Sequence, residues 1–90
     1  MRDRDEKRYF YISSFPLVQF LYSKEQQIAG IRPTKEKDKK EFVFVKTPRL
    51  EELIDLYKFG DRNHPNLQVP VHKYEQARRE LLDLLNSDKF

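Results

Sequence analysis

The sequence predicts an α+β domain. Three observations carry that class. Two runs are dense in strand formers, Tyr9-Phe10-Tyr11-Ile12 and Phe42-Val43-Phe44-Val45. Thr47-Pro48 opens a helical stripe at Leu50, Leu53, Ile54 and Tyr57. A second stripe, at Tyr74, Ala77, Leu81, Leu84 and Leu85, marks an amphipathic helix near the C-terminus. Ninety residues make one domain, 1–90, which buries only about 60% of its unfolded surface. The apolar fraction is 38% and the charged fraction 37%, but seven Phe and five Tyr bury large areas from few positions, so the chain reads as folded.

Residues 1–6 form a mixed-charge leader without periodicity and are expected to be mobile, with order beginning near Lys7. In the first strand, Phe10 and Ile12 share one face and Tyr9 and Tyr11 the other. Ser13 or Ser14 caps a short helix that Pro16 opens and that runs to about Gln26. A second strand is expected over 27–32, stopped by Pro33, and a third over 41–46. Thr47 caps the next helix, with Glu51 and Glu52 in its first turn and Gly60 placed to end it in a left-handed conformation. Residues 61–66 read as a loop, and Leu67, Val69 and Val71 alternate like a strand that Pro70 confines to an edge. The order is that of a ferredoxin-like βαββα(β) sandwich over 7–72, with an added C-terminal helix over 73–87.

Several chemistries find no support. Without cysteine there is no disulfide framework, thiolate nucleophile or zinc knuckle, which fits a reducing, cytoplasmic setting. No apolar run approaches the roughly 20 residues of a membrane span, and the leader lacks the apolar stretch of a signal peptide. Asp61, His64, His72 and Glu75 could converge on a metal, but no His-x-x-His pair fixes them, and no metal or cofactor is expected. Glu51 and Asp55 share a helix face, yet with Arg49 and Lys58 nearby they read as solvated ion pairs rather than an acid–base pair. The only glycines are Gly30 and Gly60, so no phosphate loop exists, and no catalytic residue is expected.

Charge is the remaining signal. From Arg32 to Lys46 six basic residues stand against three acidic ones, an excess equal to the net +3 of the whole chain. Focused positive potential at one end of a small sheet suits a polyanion. Two segments, Phe10-Tyr11-Ile12-Ser13-Ser14-Phe15 and Lys40-Glu41-Phe42-Val43-Phe44-Val45-Lys46-Thr47, resemble the two signatures of the RNA-recognition motif family. Lys40 meets the basic position of the longer signature, Phe42 and Phe44 its aromatic positions, and Val45 its aliphatic one. Glu41, Val43 and Thr47 depart from it. The chain also resembles small prokaryotic domains of unknown function that share the aromatic first strand and the Phe-x-Phe strand before a Leu-rich helix, a likeness that implies no activity.

The first resemblance implies that Tyr11, Phe42 and Phe44 project from the open sheet face and stack bases of single-stranded RNA or DNA. Arg32, Lys39, Lys40 and Lys46 would then hold phosphates. Two alternatives stay open at this stage. The strand faces can be reversed, or the C-terminal helix can cover the sheet, and either makes Phe42 and Phe44 core. The alternating charges at 35–40 can be an ordinary solvated turn. The rival function is a protein-interaction or homodimerisation module that uses the C-terminal helix or an edge strand.

Overall fold

The computed structural model of the chain describes residues 7–36, 39–61 and 63–86. The elements are β1 (Tyr9–Ile12), α1 (Phe15–Ser23), β2 (Ile28–Pro33), β3 (Lys40–Val45), α2 (Pro48–Phe59), a 3₁₀ turn (Pro65–Leu67) and α3 (Val71–Leu85). The sheet has the order β1-β3-β2, and both pairings are antiparallel. Tyr9 to Ile12 pair with Val45 to Phe42, and β2 pairs from Ile28↔Phe44 to Pro33↔Lys40 with an irregularity between Ile28 and Gly30. The fold is thus α+β, and its strand order is compatible with a ferredoxin-like arrangement.

Local chemistry sets the helix boundaries. Thr47 caps α2 as its sequence predicts: its Oγ1 accepts from the Leu50 N–H at 3.0 Å. At the other end Gly60 is extended, with φ −79° and ψ 167°, rather than left-handed. A Cβ there would sit 2.5 Å from the Leu56 carbonyl oxygen and 2.6 Å from its Cδ1. Close approach, not backbone conformation, is what requires glycine at 60. The left-handed residue is instead Glu25, at φ 67°, just past α1. Its N–H donates to the Tyr22 carbonyl at 2.9 Å and the Gln26 N–H to the Leu21 carbonyl at 3.1 Å, which is a Schellman ending at Lys24, two residues before the expected stop.

The expected edge strand at Leu67, Val69 and Val71 is not one. Pro65 to Leu67 form the 3₁₀ turn, with the Asn66 N–H donating to His64 Nδ1 and the Leu67 N–H to the His64 carbonyl. The Pro70 carbonyl accepts from the N–H groups of Lys73 and Tyr74, so Val71 already belongs to α3. Two prolines that cannot donate to a ladder, and these local bonds, take the segment out of the sheet. Leu67 and Val69 satisfy their apolar character against the core instead.

α1 organises that core. It packs against β1, α2 and α3, and the largest fully buried side chains are Phe44, Leu21, Leu50, Leu53, Leu81 and Val18. α3 docks through Ala77 and Leu81 and through two polar contacts: Gln19 Nε2 donates to the Tyr74 carbonyl at 3.0 Å, and the Tyr22 hydroxyl to Glu80 Oε1 at 2.8 Å. The C-terminal helix therefore joins the layer that α1 and α2 already form. Among the described residues, no helix is long and apolar enough to cross a membrane.

Candidate nucleic-acid interface

The register divides the sheet into two faces. Phe10 lies opposite Phe44 and Ile12 opposite Phe42, and from the other side Ile28 and Ile31 meet the same two phenylalanines. Ile12, Phe42 and Phe44 belong to the hydrophobic cluster with Leu17, Leu21, Leu50 and Leu53, and the Phe15 ring meets Phe42 edge-on at 6.2 Å. Phe42 is 3% exposed and Phe44 0%. On β3 the faces are thus the reverse of those implied by the resemblance to the RNA-recognition motif, while on β1 they are as implied. Phe42 and Phe44 are core, and the physical reason is area: two phenylalanines and two isoleucines remove more apolar surface from water under the helices than the alternating Tyr and Val positions would.

Tyr11 consequently parts from Phe42 and Phe44. It pairs with Val43, and Tyr9 pairs with Val45. Neither tyrosine packs against the helix-side cluster, nor does Val43, although Val43 is only 8% exposed. Arg32 lies on this second face, opposite Glu41 across the ladder. Its guanidinium carbon is 5.4 Å from the centre of the Tyr11 ring, and its Nε is 3.9 Å from Glu41 Oε2, a carboxylate with 13% of its side chain exposed. A cation over an aromatic face adds about 0.5–2 kcal/mol of attraction, depending on desolvation. The face therefore presents two tyrosines, two valines and an ion pair. Tyr9 was not among the expected site residues, although strand alternation alone pairs it with Tyr11.

The expected phosphate contacts are dispersed. Lys40 and Lys46 alternate in phase with Phe42 and Phe44, on the helix side of β3. Lys46 Nζ stands 4.9 Å from the centre of the Phe10 ring, and its N–H donates to the Arg8 carbonyl. Lys40 is exposed at the start of β3, opposite Pro33. Lys39 Nζ lies 3.5 Å from Glu36 Oε1, in a loop that Thr34 gathers: its hydroxyl donates to the Lys39 carbonyl and accepts from the Glu36 N–H. Of the expected residues, Tyr11 and Arg32 meet on the open face, and Phe42 and Phe44 meet in the core.

Of the residues considered for a metal, Asp61 and His64 have local work. Asp61 Oδ1 accepts from the Asn63 N–H, and His64 Nδ1 caps the 3₁₀ turn. Arg49 Nη1 is 3.5 Å from Glu52 Oε1 on exposed turns of α2.

A family model described as a domain of unknown function (DUF5659) matches residues 7–86. The chain belongs to that family. The match runs from the turn before β1 to the residue after α3, so the DUF5659 unit includes the C-terminal helix as well as the sheet. This agrees with the likeness to small domains of unknown function and adds nothing on RNA recognition. No curated protein and no solved structure matches the chain.

Proposed function

We propose that this DUF5659 domain is a non-catalytic module that binds single-stranded nucleic acid on the sheet face of Tyr9 and Tyr11. The observation that carries the reading is that both tyrosines stand on the face away from the helix-side cluster, with the Arg32 guanidinium above Tyr11. Bases stack on such rings at roughly 1–3 kcal/mol each without regard to sequence, and an arginine beside them serves either a phosphate or a second stacking plane. Two platforms hold two bases, so even with the arginine contact the dissociation constant should be about micromolar or weaker at low salt. The mode resembles RNA-recognition motifs in using β1, and differs in leaving β3 aromatics inside the fold.

Fluorescence anisotropy with labelled single strands and matched duplexes tests this. The single strand should bind more tightly, and Tyr9→Ala with Tyr11→Ala should weaken it at least tenfold. No binding at high protein concentration, or binding indifferent to both substitutions, would overturn the reading.

One observation favours the protein-interaction alternative. Phe59 at the end of α2 is 82% exposed and Val71 at the start of α3 is 73% exposed. Apolar side chains that protrude at helix ends suit a contact with another chain or a second copy. Light scattering across a concentration series distinguishes self-association: a dimer that Phe59→Ser or Val71→Ser returns to monomer supports this reading.

A further inference from the structure

The reading above leaves unused a cleft on the opposite side of the molecule. Phe20, Tyr57, Leu67, Gln68, Val69 and Tyr74 line it, and its volume is about 400 Å³, inside the roughly 300–1,000 Å³ typical of small-molecule sites. The 3₁₀ turn and the segment after it form one wall, α2 and α3 the others. Phe20 is buried beneath, its ring 5.3 Å from that of Tyr57 and tilted 35° to it.

A cation stands at the rim. Lys24 Nζ donates to the Gln68 carbonyl at 2.8 Å and lies 5.9 Å from the centre of the Phe20 ring, so it borders two lining residues at once. A carbonyl fixes the ammonium without neutralising it. Desolvation first, then the nearby charges of Arg49 and Lys73, push its pKa down. Arg49 is paired with Glu52 at 3.5 Å and Lys73 with Glu25 at 3.2 Å, so of these three cations Lys24 alone faces no carboxylate among the described residues. The phenols of Tyr57 and Tyr74 add two donors. Burial first, then the neighbouring Tyr57 phenol, pushes the Tyr74 pKa up, and neither hydroxyl has a hydrogen-bond partner among the described residues.

We propose that this cleft binds a small aromatic carboxylate, its ring laid on Phe20, Leu67 and Val69 and its anionic head held by Lys24 and a phenol hydroxyl of Tyr57 or Tyr74. The volume limits the body to one or two fused rings. The single charge of Lys24 matches one carboxylate better than a dianionic phosphate, and the unpaired phenols supply directed donors to its oxygens.

The test uses the full isotope-labelled chain, titrated by NMR with naphthylacetate and, as a neutral control of the same shape, naphthylacetamide. Naphthylacetate should shift the amides of Phe20, Lys24, Tyr57, Gln68, Val69 and Tyr74 with a dissociation constant of about 0.1–1 mM, as its size allows. The amide should bind about tenfold more weakly, because it forgoes the charge-assisted bond. Lys24→Gln should reduce the acid to the level of the amide and leave the amide unchanged. Val69→Trp, which fills the cleft, should block both. Equal affinities in the parent, indifference to Lys24→Gln, undiminished binding by Val69→Trp, or shifts outside the cleft would each overturn the proposal. Oligonucleotide binding on the sheet face should be untouched by either substitution.

Discussion

Phe44 and Tyr11 lie on adjacent antiparallel strands but on opposite faces, so truncating each should report a different property. Phe44 is fully enclosed, and Phe44→Ala leaves a cavity among Leu21, Leu50 and Leu53. The expected loss is about 3–5 kcal/mol, a large share of the stability of a small domain, read from denaturant midpoints at unchanged slope. Tyr11→Ala removes an intermediate side chain outside that cluster and should cost about 1 kcal/mol or less. A melt in which Tyr11→Ala falls as far as Phe44→Ala would refute the division of faces. The same contrast shows what the sequence could and could not yield. Period-two alternation sorts the residues of each strand into two sets but does not say how the sets join across strands: the pairing joins Phe10 and Ile12 to Phe42 and Phe44, and Tyr9 and Tyr11 to Val43 and Val45. Summed apolar area puts the phenylalanine set under the helices, whereas the likeness to the signature motif groups Tyr11 with Phe42 and Phe44.

At the scale of elements, the strand and helix order from β1 to α2 and the Thr47-Pro48 helix start were legible, because each rests on local chemistry that tertiary contacts did not contradict. The fourth strand was not, since three alternating apolar residues between two prolines fit a packed turn and a helix start equally well. Nor was the α1 ending, because glutamate at a left-handed position carries no composition signal. That position gives a clean comparison. Glu25→Gly and Glu25→Ala both lose the ion pair to Lys73, so their difference isolates the backbone, and glycine should be more stable by about 1 kcal/mol in urea unfolding. Gly60→Ala should show the reverse and lose about 1–2 kcal/mol, because a Cβ meets the Leu56 carbonyl. Between α1 and α3, the Tyr22 hydroxyl and Gln76 bond to Glu80 and hold its carboxyl below the usual range, while the same bond raises the Tyr22 phenol. A depressed carboxylate contributes stability above its unfolded pKa and loses it as pH falls through its folded value. Tyr22→Phe should therefore cost about 0.5–1 kcal/mol near neutrality, and the gap from the parent should close on acidification below the carboxylate range.

Across the whole molecule, Arg32, Lys39, Lys40 and Lys46 do not form one patch, because Lys40 and Lys46 fall on the helix side of β3 while β2 puts Arg32 on the other face. Lys46 lies on the helix side over Phe10, Lys39 faces Glu36, and Arg32 alone of the expected cations shares a face with Tyr11. Single-strand binding loses roughly 0.7 of a counterion for each phosphate contact removed, so the dependence of affinity on salt counts the cations that matter. If oligonucleotides bind on the Tyr9–Tyr11 face, Arg32→Gln should lower the slope of log K against log salt by about 0.7, and Lys46→Ala should leave it unchanged. Lys40→Ala, at the open end of β3, should fall between them if the strand runs along the sheet toward the 34–39 loop. Measured by anisotropy at four or more salt concentrations, the opposite ranking, with Lys46→Ala carrying the larger change, would place the polyanion against the helix side of β1 and β3. The tyrosine face would then be excluded as the contact surface, because an oligonucleotide short enough to occupy two platforms cannot wrap the edge of the sheet and reach both cations at once.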